Sequence, residues 1–296
     1  MRVAVTGASG FVGGAVVRAA AARGWEVFAF GRRAHAETGG VPYRSWDLTR
    51  GPRPELRVDA VVHCAGSVTD WGDAAEIWRA NVTGTRTVLE TFPDARLVHV
   101  STASVYDPIR PTVRAREEEA PVARYVNAYG ASKAAAERLV AGRAVILRPH
   151  AVYGPGDTTL LPRVLGAVRG RWLLAVGGGD QLVSLTAVDN LVRACLLAVD
   201  HPEPAVYNVT DAEPVRLDDA LRALLREREI DAVPRYLPAR LAHAVAVVSE
   251  RLSATPRLTR YAVGHLAVER TLDISRARDR LGYAPAPTSF TGAATW

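Results

Sequence analysis

The stretch T-G-A-S-G-F-V-G, residues 6–13, follows an apolar run at residues 3–5 and precedes a segment with apolar residues at helical spacing. Its glycines are Gly7, Gly10 and Gly13. A glycine-rich turn between strand and helix lets the backbone approach a pyrophosphate, and the helix N-terminus supplies N–H donors and a positive dipole. The position directly after a first strand is the context that such a loop requires. The stretch therefore predicts a dinucleotide-binding Rossmann start, with Ser9, Phe11 and Val12 also at the cofactor.

Outward from this loop, the first half of the chain alternates two kinds of segment. Short β-branched and apolar runs predict strands at residues 3–6, 26–30, 60–64, 97–101 and 144–148. Apolar residues at helical spacing predict helices at residues 11–23, 74–92 and 132–141. This order is typical of an α/β fold with a doubly wound parallel sheet.

After residue 148 the pattern is irregular, with frequent Gly and Pro. We expect a dinucleotide-binding domain at residues 1–150 and a smaller, mainly substrate-binding region at residues 151–296, some of whose elements pack back on the sheet. Residues 237–252 have apolar side chains at helical intervals, so a lid, a membrane contact and a helix packed on its own domain all stay open. The acidic run at residues 117–119 predicts a solvated loop.

Composition excludes several classes of protein. The 296 residues are 48% hydrophobic and 23% charged, which argues against disorder. The net charge of +6 is spread along the chain, so we expect no nucleic acid partner. No run is long enough for a membrane span and the N-terminus does not resemble a signal peptide, so a cytoplasmic protein is expected. The expected partner is a small-molecule substrate, and a homodimer stays open.

The cysteines and histidines do not indicate a disulfide, metal or catalytic site. Cys64 and Cys195 are too few for a disulfide framework or a cysteine-rich zinc site, and no metal-ligand cluster is visible. His63 and His150 lack Ser or Asp partners at motif spacing, so packing or cofactor-lining roles are expected for both.

The end of the second predicted strand bears on cofactor choice. Arg32 and Arg33 stand there, where an NAD-selective site usually offers a carboxylate to the ribose hydroxyls. Guanidinium groups bind a 2′-phosphate through charge-assisted hydrogen bonds. We therefore expect NADP in preference to NAD, with two solvated surface arginines as the alternative.

The segment Y-G-A-S-K places Tyr129 four residues before Lys133, the only lysine of the chain, and hence on the same helix face. An ammonium near a phenol favours the phenolate, so the pKa of Tyr129 is expected to fall towards the range useful for proton transfer.

With these motifs, the sequence resembles an extended short-chain dehydrogenase/reductase over nearly its whole length. The resemblance adds H-C-A-G at residues 63–66, N-V-T-G-T from Asn81 and V-S-T-A-S-V-Y ending at Tyr106. It implies a catalytic Thr102, with Ser101 and Ser104 as alternatives, beside Tyr129 and Lys133. It also implies that Asn81 holds the loop beside the cofactor. Further cofactor contacts are implied at Asp47, Leu48, Ala65, Gly66, Pro149 and Val152, and Tyr129 and Lys133 are expected to contact the cofactor as well.

The segment R-P-H-A-V-Y-G-P-G-D from Arg148 bears on substrate class. Nucleotide-sugar epimerases commonly have an asparagine at the position of Ala151. This segment, D-W-G at residues 70–72 and the C-terminal L-T-R-Y-A-V instead resemble the 3-beta-hydroxysteroid and sterol dehydrogenase branch. The resemblance implies an NADP-dependent enzyme that interconverts a ketone and a secondary alcohol on a hydrophobic, steroid-, terpenoid- or 3-oxoacyl-like molecule.

Two other functions stay open at this point. One is a nucleotide-sugar epimerase or 4-ketoreductase, for which Arg163, Arg169 and Arg171 could meet a diphosphate. The other is a dinucleotide-binding sensor without turnover, a class that typically lacks the tyrosine-lysine pair.

Overall fold

The computed structural model describes residues 1–52, 56–201, 203–254, 256 and 258–296. The strands in chain order are β1 Arg2–Thr6, β2 Glu26–Gly31, β3 Tyr43–Ser45, β4 Ala60–His63, β5 Arg96–Val100, β6 Thr112–Ala115, β7 Ala144–Pro149, β8 Val152–Tyr153, β9 Val168–Arg169, β10 Trp172–Val176, β11 Leu182–Val183, β12 Thr186–Ala187, β13 Ala205–Val209, β14 Val215–Arg216, β15 Val233–Leu237 and β16 Arg270–Leu272.

The α-helices in chain order are α1 Phe11–Ala22, α2 Ala74–Trp78, α3 Gly84–Thr91, α4 Ala128–Val140, α5 Leu160–Leu165, α6 Val188–Asp200, α7 Leu217–Glu227, α8 Ala239–Leu252, α9 Arg260–Leu266 and α10 Ser275–Leu281. Short 3-10 helices lie at Leu48–Arg50, Ala103–Val105, Glu117–Glu119 and Ala293–Thr295.

Seven parallel strands form the central sheet, in the order β13-β7-β5-β4-β1-β2-β3. Strands β1 and β4 are adjacent at the centre, and the chain extends the sheet from them in both directions. This places the phosphate loop, which follows β1, at the carboxyl edge of the centre of the sheet. The predicted α/β Rossmann fold is confirmed, and the five predicted strands end within one residue of their observed ends.

Helices cover both faces of this sheet because its strands alternate their side chains between two cores. Val3 and Val5 of β1 pack with α1, α6 and α10, whereas Ala4 packs with α3 and α4. The α6 and β13 segments come from the second half of the chain, so that half contributes to the sheet and its covering layer. The boundary near residue 150 stays a prediction.

Two predicted helices differ from the observed ones. The helix expected at residues 74–92 is interrupted by a π-helical turn, Arg79–Thr83, between α2 and α3. The hydroxyl of Thr85, in the first turn of α3, donates to the carbonyl of Asn81 in this π-helical turn at 2.6 Å, a side-chain bond of the kind that perturbs helical geometry. Helix α4 begins four residues before the expected Ser132, because the Asn127 side chain caps it by accepting from the Gly130 N–H.

The acidic run at residues 117–119 is only partly the solvated loop that its charge predicted, since Glu118 and Glu119 are exposed. It forms a 3-10 helix in which Glu117 is buried. Its carboxylate accepts the Asn208 N–H at 2.9 Å and lies 3.6 Å from Arg276. These tertiary partners compensate for the desolvation of the charge.

Helix α8 packs through its small residues and exposes its large ones. Ala242 and Ala246 are buried, whereas Leu241, Val245, Val248 and Leu252 are 53%, 45%, 54% and 84% exposed. The expected helix therefore exists, with an apolar stripe facing away from the domain. Within the described ranges, no helix is both long enough and apolar enough to cross a membrane.

Candidate active site

The phosphate loop runs from the end of β1 to the start of α1. Gly7 has a φ of +73°, and a Cβ there would lie 2.7 Å from the Ala65 amide nitrogen. A Cβ on Gly13 would collide with the Gly7 carbonyl, so the turn closes tightly only with glycine. Gly10 is the N-cap of α1 and supplies no side-chain cap, so the first-turn N–H groups keep their capacity to bind an anion. These features fit the pyrophosphate of a dinucleotide.

The nucleoside end of this groove lies where β2 ends. A Cβ on Gly31 would come within 2.8 Å of both the Ser9 Oγ and the Tyr43 hydroxyl. Tyr43 donates to the Arg33 carbonyl at 2.8 Å and thereby holds the arginine segment against β3. Arg32 and Arg33 are exposed. Sequence reasoning did not identify Tyr43, because its contact is visible only once β2 and β3 are paired.

Asp47 and Leu48 lie directly after β3. The Asp47 carboxylate caps the short helix by accepting from the Thr49 N–H at 3.0 Å and from the Thr49 hydroxyl at 2.8 Å. Partial burial would raise the pKa of Asp47, but these hydrogen bonds and the charges of Arg50 and Arg32 lower it below its ordinary value. Leu48 is buried against Phe30.

Asn81 connects the loop after β4 to helix α4. Its Oδ1 accepts the Ser67 N–H at 2.7 Å, and its Nδ2 donates to the Ser132 Oγ at 2.9 Å. A Cβ on Gly66 would lie 2.7 Å from the Asn81 Oδ1, so this loop approaches the amide closely. The loop with Ala65 and Gly66 is thus fixed between the phosphate turn and α4, as the resemblance implied for Asn81.

Tyr129 lies in the first turn of α4 beside Thr102. Burial raises the pKa of Tyr129 above its ordinary value, and a hydrogen bond with Thr102 partly offsets this shift. The expected fall in this pKa through Lys133 is therefore not found in the chain by itself.

Lys133 is on the same helix, one turn further along, but its ammonium points elsewhere. Nζ donates to the Val100 carbonyl at 2.7 Å, at the end of β5. Burial lowers the pKa of Lys133 to about 8, although the Glu137 and Cys64 charges oppose this shift. Helical spacing correctly predicted the shared helix, but it could not predict which acceptor the long side chain reaches.

The three candidate hydroxyls at the end of β5 have different partners. Ser101 donates to Glu137 Oε1 at 2.5 Å, and Glu137 forms a buried ion pair with Arg148 at 2.7 Å. Thr102 Oγ1 instead donates to the Ser104 Oγ at 3.1 Å and accepts the Ser104 N–H at 3.1 Å. Thr102 and Ser104 therefore share a hydrogen-bonded network, whereas Ser101 belongs to the buried ion pair.

Tyr261 of α9 is a further site residue that sequence reasoning missed. Its hydroxyl lies 2.5 Å from the Ser104 Oγ, and its ring meets the Tyr129 ring edge to face with centroids 6.3 Å apart. Tyr261 and Ser104 are 157 residues apart in sequence. No local pattern signals this contact, since Tyr261 stood only in a segment quoted for its family resemblance.

Asp70 links the helices that carry the two tyrosines. Its buried carboxylate accepts from the Thr259 hydroxyl at 2.6 Å and pairs with Arg163 at 2.7 Å. Thr259 is the N-cap of α9, and the Asp70 carbonyl accepts from Asn127, the N-cap of α4. Asp70 therefore fixes the starts of both helices relative to each other.

The segment after β7 lies at the same edge of the sheet. Pro149 is buried, and Val152 packs partly against the main core. His150 donates from Nδ1 to the Ser184 carbonyl at 2.6 Å, and burial lowers its pKa to about 4. Ala151 has a φ of +47°, a left-handed conformation that asparagine adopts more readily than alanine.

The remaining titratable candidates have packing partners. His63 is fully buried between the Thr6 and Thr85 hydroxyls, and burial lowers its pKa to about 3. Cys64 and Cys195 carry free thiols. In the described part of the chain, no group of three or more His, Cys, Asp or Glu side chains could hold a metal ion.

Comparisons with curated proteins find relatives along nearly the whole chain. A "4-hydroxy-2-methyl-3-oxo-4-farnesyl-3,4-dihydroquinoline-1-oxide ketoreductase" of Stigmatella aurantiaca is 35% identical, covering 99% of this chain and 94% of the relative. A "2-alkyl-3-oxoalkanoate reductase" of Stenotrophomonas maltophilia is 31% identical, covering 96% and 95%. The mouse "sterol-4-alpha-carboxylate 3-dehydrogenase, decarboxylating" is 27% identical, covering 96% and 86%.

A similar solved structure is MoeE5 in complex with UDP-glucuronic acid and NAD, at 26% identity and a TM-score of 0.73, covering 98% of this chain and 95% of that one. The model of the NAD dependent epimerase/dehydratase family matches residues 3–210. The chain belongs to this family, and it is a nicotinamide-dinucleotide-dependent enzyme of the extended short-chain dehydrogenase/reductase type that acts on a CH–OH group.

Proposed function

We propose that this enzyme is an NADP-dependent reductase of a hydrophobic ketone and that Thr102, Tyr129 and Lys133 carry the reaction. The observation that supports this assignment most is that Tyr129, in the first turn of α4, lies beside Thr102, which follows the end of β5. Lys133 lies one helical turn beyond Tyr129, with its ammonium on the Val100 carbonyl at the end of β5. This set can supply a proton, a hydrogen-bond donor and a compensating charge.

The nicotinamide, when bound, supplies a hydride to the carbonyl carbon. Tyr129 donates its hydroxyl proton to the carbonyl oxygen, so a ketone becomes a secondary alcohol. Thr102 donates a hydrogen bond to the same oxygen as negative charge develops there. The Lys133 ammonium, one helical turn away, supplies the positive charge that favours the Tyr129 phenolate until solvent protons restore the acid. In the reverse direction the same groups oxidise the alcohol.

The raised pKa of Tyr129 suits the reductive direction. A neutral phenol is the proton donor, and burial keeps it protonated at physiological pH. A Lys133 pKa of about 8 leaves most of its side chain charged near pH 7. The pair therefore has the protonation states that the proposed reduction needs.

We propose a hydrophobic substrate in preference to a sugar nucleotide. The methyl of Ala151 offers no hydrogen bond to a sugar nucleotide, and Arg163, a candidate for binding a diphosphate, already pairs with Asp70. The names of the curated relatives describe ketones or alcohols on alkyl, farnesylated or sterol molecules. Together these support a steroid-, terpenoid- or 3-oxoacyl-like substrate.

The choice of NADP rests on Arg32 and Arg33. Both are exposed at the nucleoside end, and the Arg32 charge acts on Asp47. A guanidinium at this place attracts a 2′-phosphate and partly neutralises the carboxylate that would repel it.

A nucleotide-sugar enzyme is the main competing function, since MoeE5 is described with UDP-glucuronic acid and NAD. The experiment is a panel of steroid, terpenoid and 3-oxoacyl ketones, with UDP- and dTDP-sugars beside them. NADPH consumption is followed by absorbance, and binding is followed by thermal unfolding with NADP present. We expect consumption or stabilisation with members of the hydrophobic panel alone. Micromolar binding of a nucleotide sugar, with no response to any ketone, would overturn the proposed substrate class.

A further inference from the structure

Four hydroxyl groups form one cluster at the candidate site, the four-hydroxyl cluster. Thr102 lies 3.1 Å from Ser104, Ser104 lies 2.5 Å from Tyr261, and Tyr129 lies beside Thr102. The proposed mechanism uses the first pair, Tyr129 and Thr102. The second pair, Ser104 and Tyr261, has the same composition of one tyrosine and one small hydroxyl residue, and the mechanism gives it no role.

The proton count of the linked hydroxyls limits what they can bind. Thr102, Ser104 and Tyr261 carry three protons, and their two links use two of them, so one proton is left to donate. The link between Thr102 and Ser104 is weaker than an ideal O–H···O bond at 3.1 Å. Opening that link would leave one free donor in each pair, and two acceptor oxygens could then bind side by side.

Tyr261 has the protonation state that a donor needs. Burial raises the pKa of the Tyr261 phenol above its ordinary value, and the nearby Tyr129 and Asp70 add to the shift, although Ser104 and Arg163 oppose it. Ser104 is itself buried, with 6% of its surface exposed. A substrate oxygen at this pair would therefore meet neutral donors shielded from water, where a hydrogen bond discriminates strongly between ligands.

We propose that Ser104 and Tyr261 form a second oxygen subsite, which binds a carbonyl oxygen placed 1,3 to the ketone that is reduced. This inference rests on the proposed function and narrows its substrate to a 3-oxoacyl class. The two oxygens of a 1,3-dicarbonyl unit are carried by carbons two apart and can lie on the same side of that unit. The Thr102 and Ser104 hydroxyl oxygens are separated by 3.1 Å, so each pair can face one of the two oxygens.

The subsite also has a fixed position. Ser104 follows Thr102 within one 3-10 turn, and Tyr261 is held by the Thr259 cap and by Asp70. The Tyr129 ring packs against the Tyr261 ring. The second pair is therefore preorganised beside the first, which limits the entropy lost when a substrate with two oxygens binds.

The test compares two substrates of equal length: a 2-alkyl-3-oxo ester, and the matching alkoxy ketone, in which a methylene replaces the ester carbonyl. Tyr261→Phe is expected to lower kcat/KM at least tenfold for the ester and less than threefold for the ketone. Ser104→Ala is expected to show the same selectivity. Tyr125→Phe is the matched control, because the Tyr125 hydroxyl donates to the Val105 carbonyl, outside the four-hydroxyl cluster. It should affect both substrates alike.

The Tyr261→Phe variant is first checked for the wild-type unfolding temperature and for NADPH binding. If such a variant then loses kcat/KM equally on both substrates, or on neither, the proposed subsite is overturned. If the wild type reduces neither substrate, the proposed function itself is wrong and the subsite falls with it. The wild-type rates therefore test the proposed function, and the ratio of variant to wild-type kcat/KM on the two substrates tests the subsite.

Discussion

The two tyrosines of the candidate site reach the same pair of hydroxyls by different routes. Tyr129 and Lys133 belong to one helix, four residues apart, and that helix packs on the central sheet. Tyr261 approaches Ser104 from 157 residues away, on a short helix fixed by Asp70 and Thr259. The first half of the site is local in sequence and lies beside the cofactor loop, whereas the second half exists only through tertiary contacts.

This difference suggests a division of labour. We infer that the Tyr129 half performs proton transfer for any carbonyl that reaches it, whereas the Tyr261 half selects among substrates. Substitutions of Tyr129 and Thr102 test that contrast, and substitutions of Lys133 and Arg32 test the charges beside it.

The largest effect is expected for Tyr129→Phe. Loss of the positioned acid should lower kcat by at least ~10²-fold with every substrate, because the proton has no other donor in place. NADPH titration should give near wild-type affinity. A folded variant with normal turnover would remove Tyr129 from the chemistry and erase the contrast with the selective Tyr261→Phe.

Thr102→Val should be the next most damaging substitution. Removing one donor to a developing oxyanion costs on the order of 10²-fold in kcat. Steady-state kinetics with the plain ketone should show this loss for Thr102→Val and a much smaller one for Ser104→Ala. Ser101→Ala should mainly lower stability, because Ser101 donates to the buried Glu137. If Ser104→Ala lowered kcat more than Thr102→Val does, the proposed roles of the two hydroxyls would be exchanged.

Lys133 should make stability depend on pH in a definite direction. Its pKa is lowered from 10.5 to about 8 by burial, so below pH 8 the folded chain bears the full cost of a buried ammonium. Between pH 8 and 10.5 the folded state releases the proton while the unfolded state keeps it, so the cost disappears.

Relative to Lys133→Met, the wild type should therefore gain stability across this window, by up to roughly 3 kcal/mol. Urea unfolding of both proteins at pH 7, 9 and 10.5 measures the difference. Loss of the hydrogen bond to Val100 destabilises the variant at every pH, so it does not change how the difference in unfolding free energy varies with pH. A difference that stays constant with pH would contradict the burial of a charged Lys133.

Arg32→Ala should have the smallest effect and lies outside both tyrosine halves. One charge-assisted contact to a 2′-phosphate is worth about 1.5–3 kcal/mol, so NADPH affinity should fall tens-fold while NADH affinity changes little. Fluorescence titration with both cofactors measures this. The ratio of kcat/KM for the ester to kcat/KM for the ketone should stay at its wild-type value. Equal affinities of the wild type for NADPH and NADH would contradict the choice of NADP and favour NAD.

Sequence predicted the local parts of this molecule well. Glycine spacing at residues 7–13 and strand periodicity depend on neighbouring residues, and the fold they predicted is confirmed. The shared helix of Tyr129 and Lys133 follows from the same kind of periodicity.

Errors arose where distant partners decide the outcome. Glu117 is buried because Asn208 and Arg276 meet its carboxylate. Lys133 turns to the Val100 carbonyl instead of the Tyr129 phenol. Tyr261 joins the site only because Asp70 holds α9 beside α4. In each case a contact across the fold outweighs the local pattern, and a single sequence carries no direct signal of it.

The most direct test of the central claim is isotopic. The enzyme is incubated with NADPH deuterated at the transferable C4 position and a hydrophobic 3-oxo ester, and the product is analysed by mass spectrometry. We predict one deuterium on the carbinol carbon with the wild type and a much slower appearance with Tyr129→Phe. Absence of deuterium from the product of every ketone tested, while a nucleotide sugar is converted with the same enzyme, would contradict the proposed reduction.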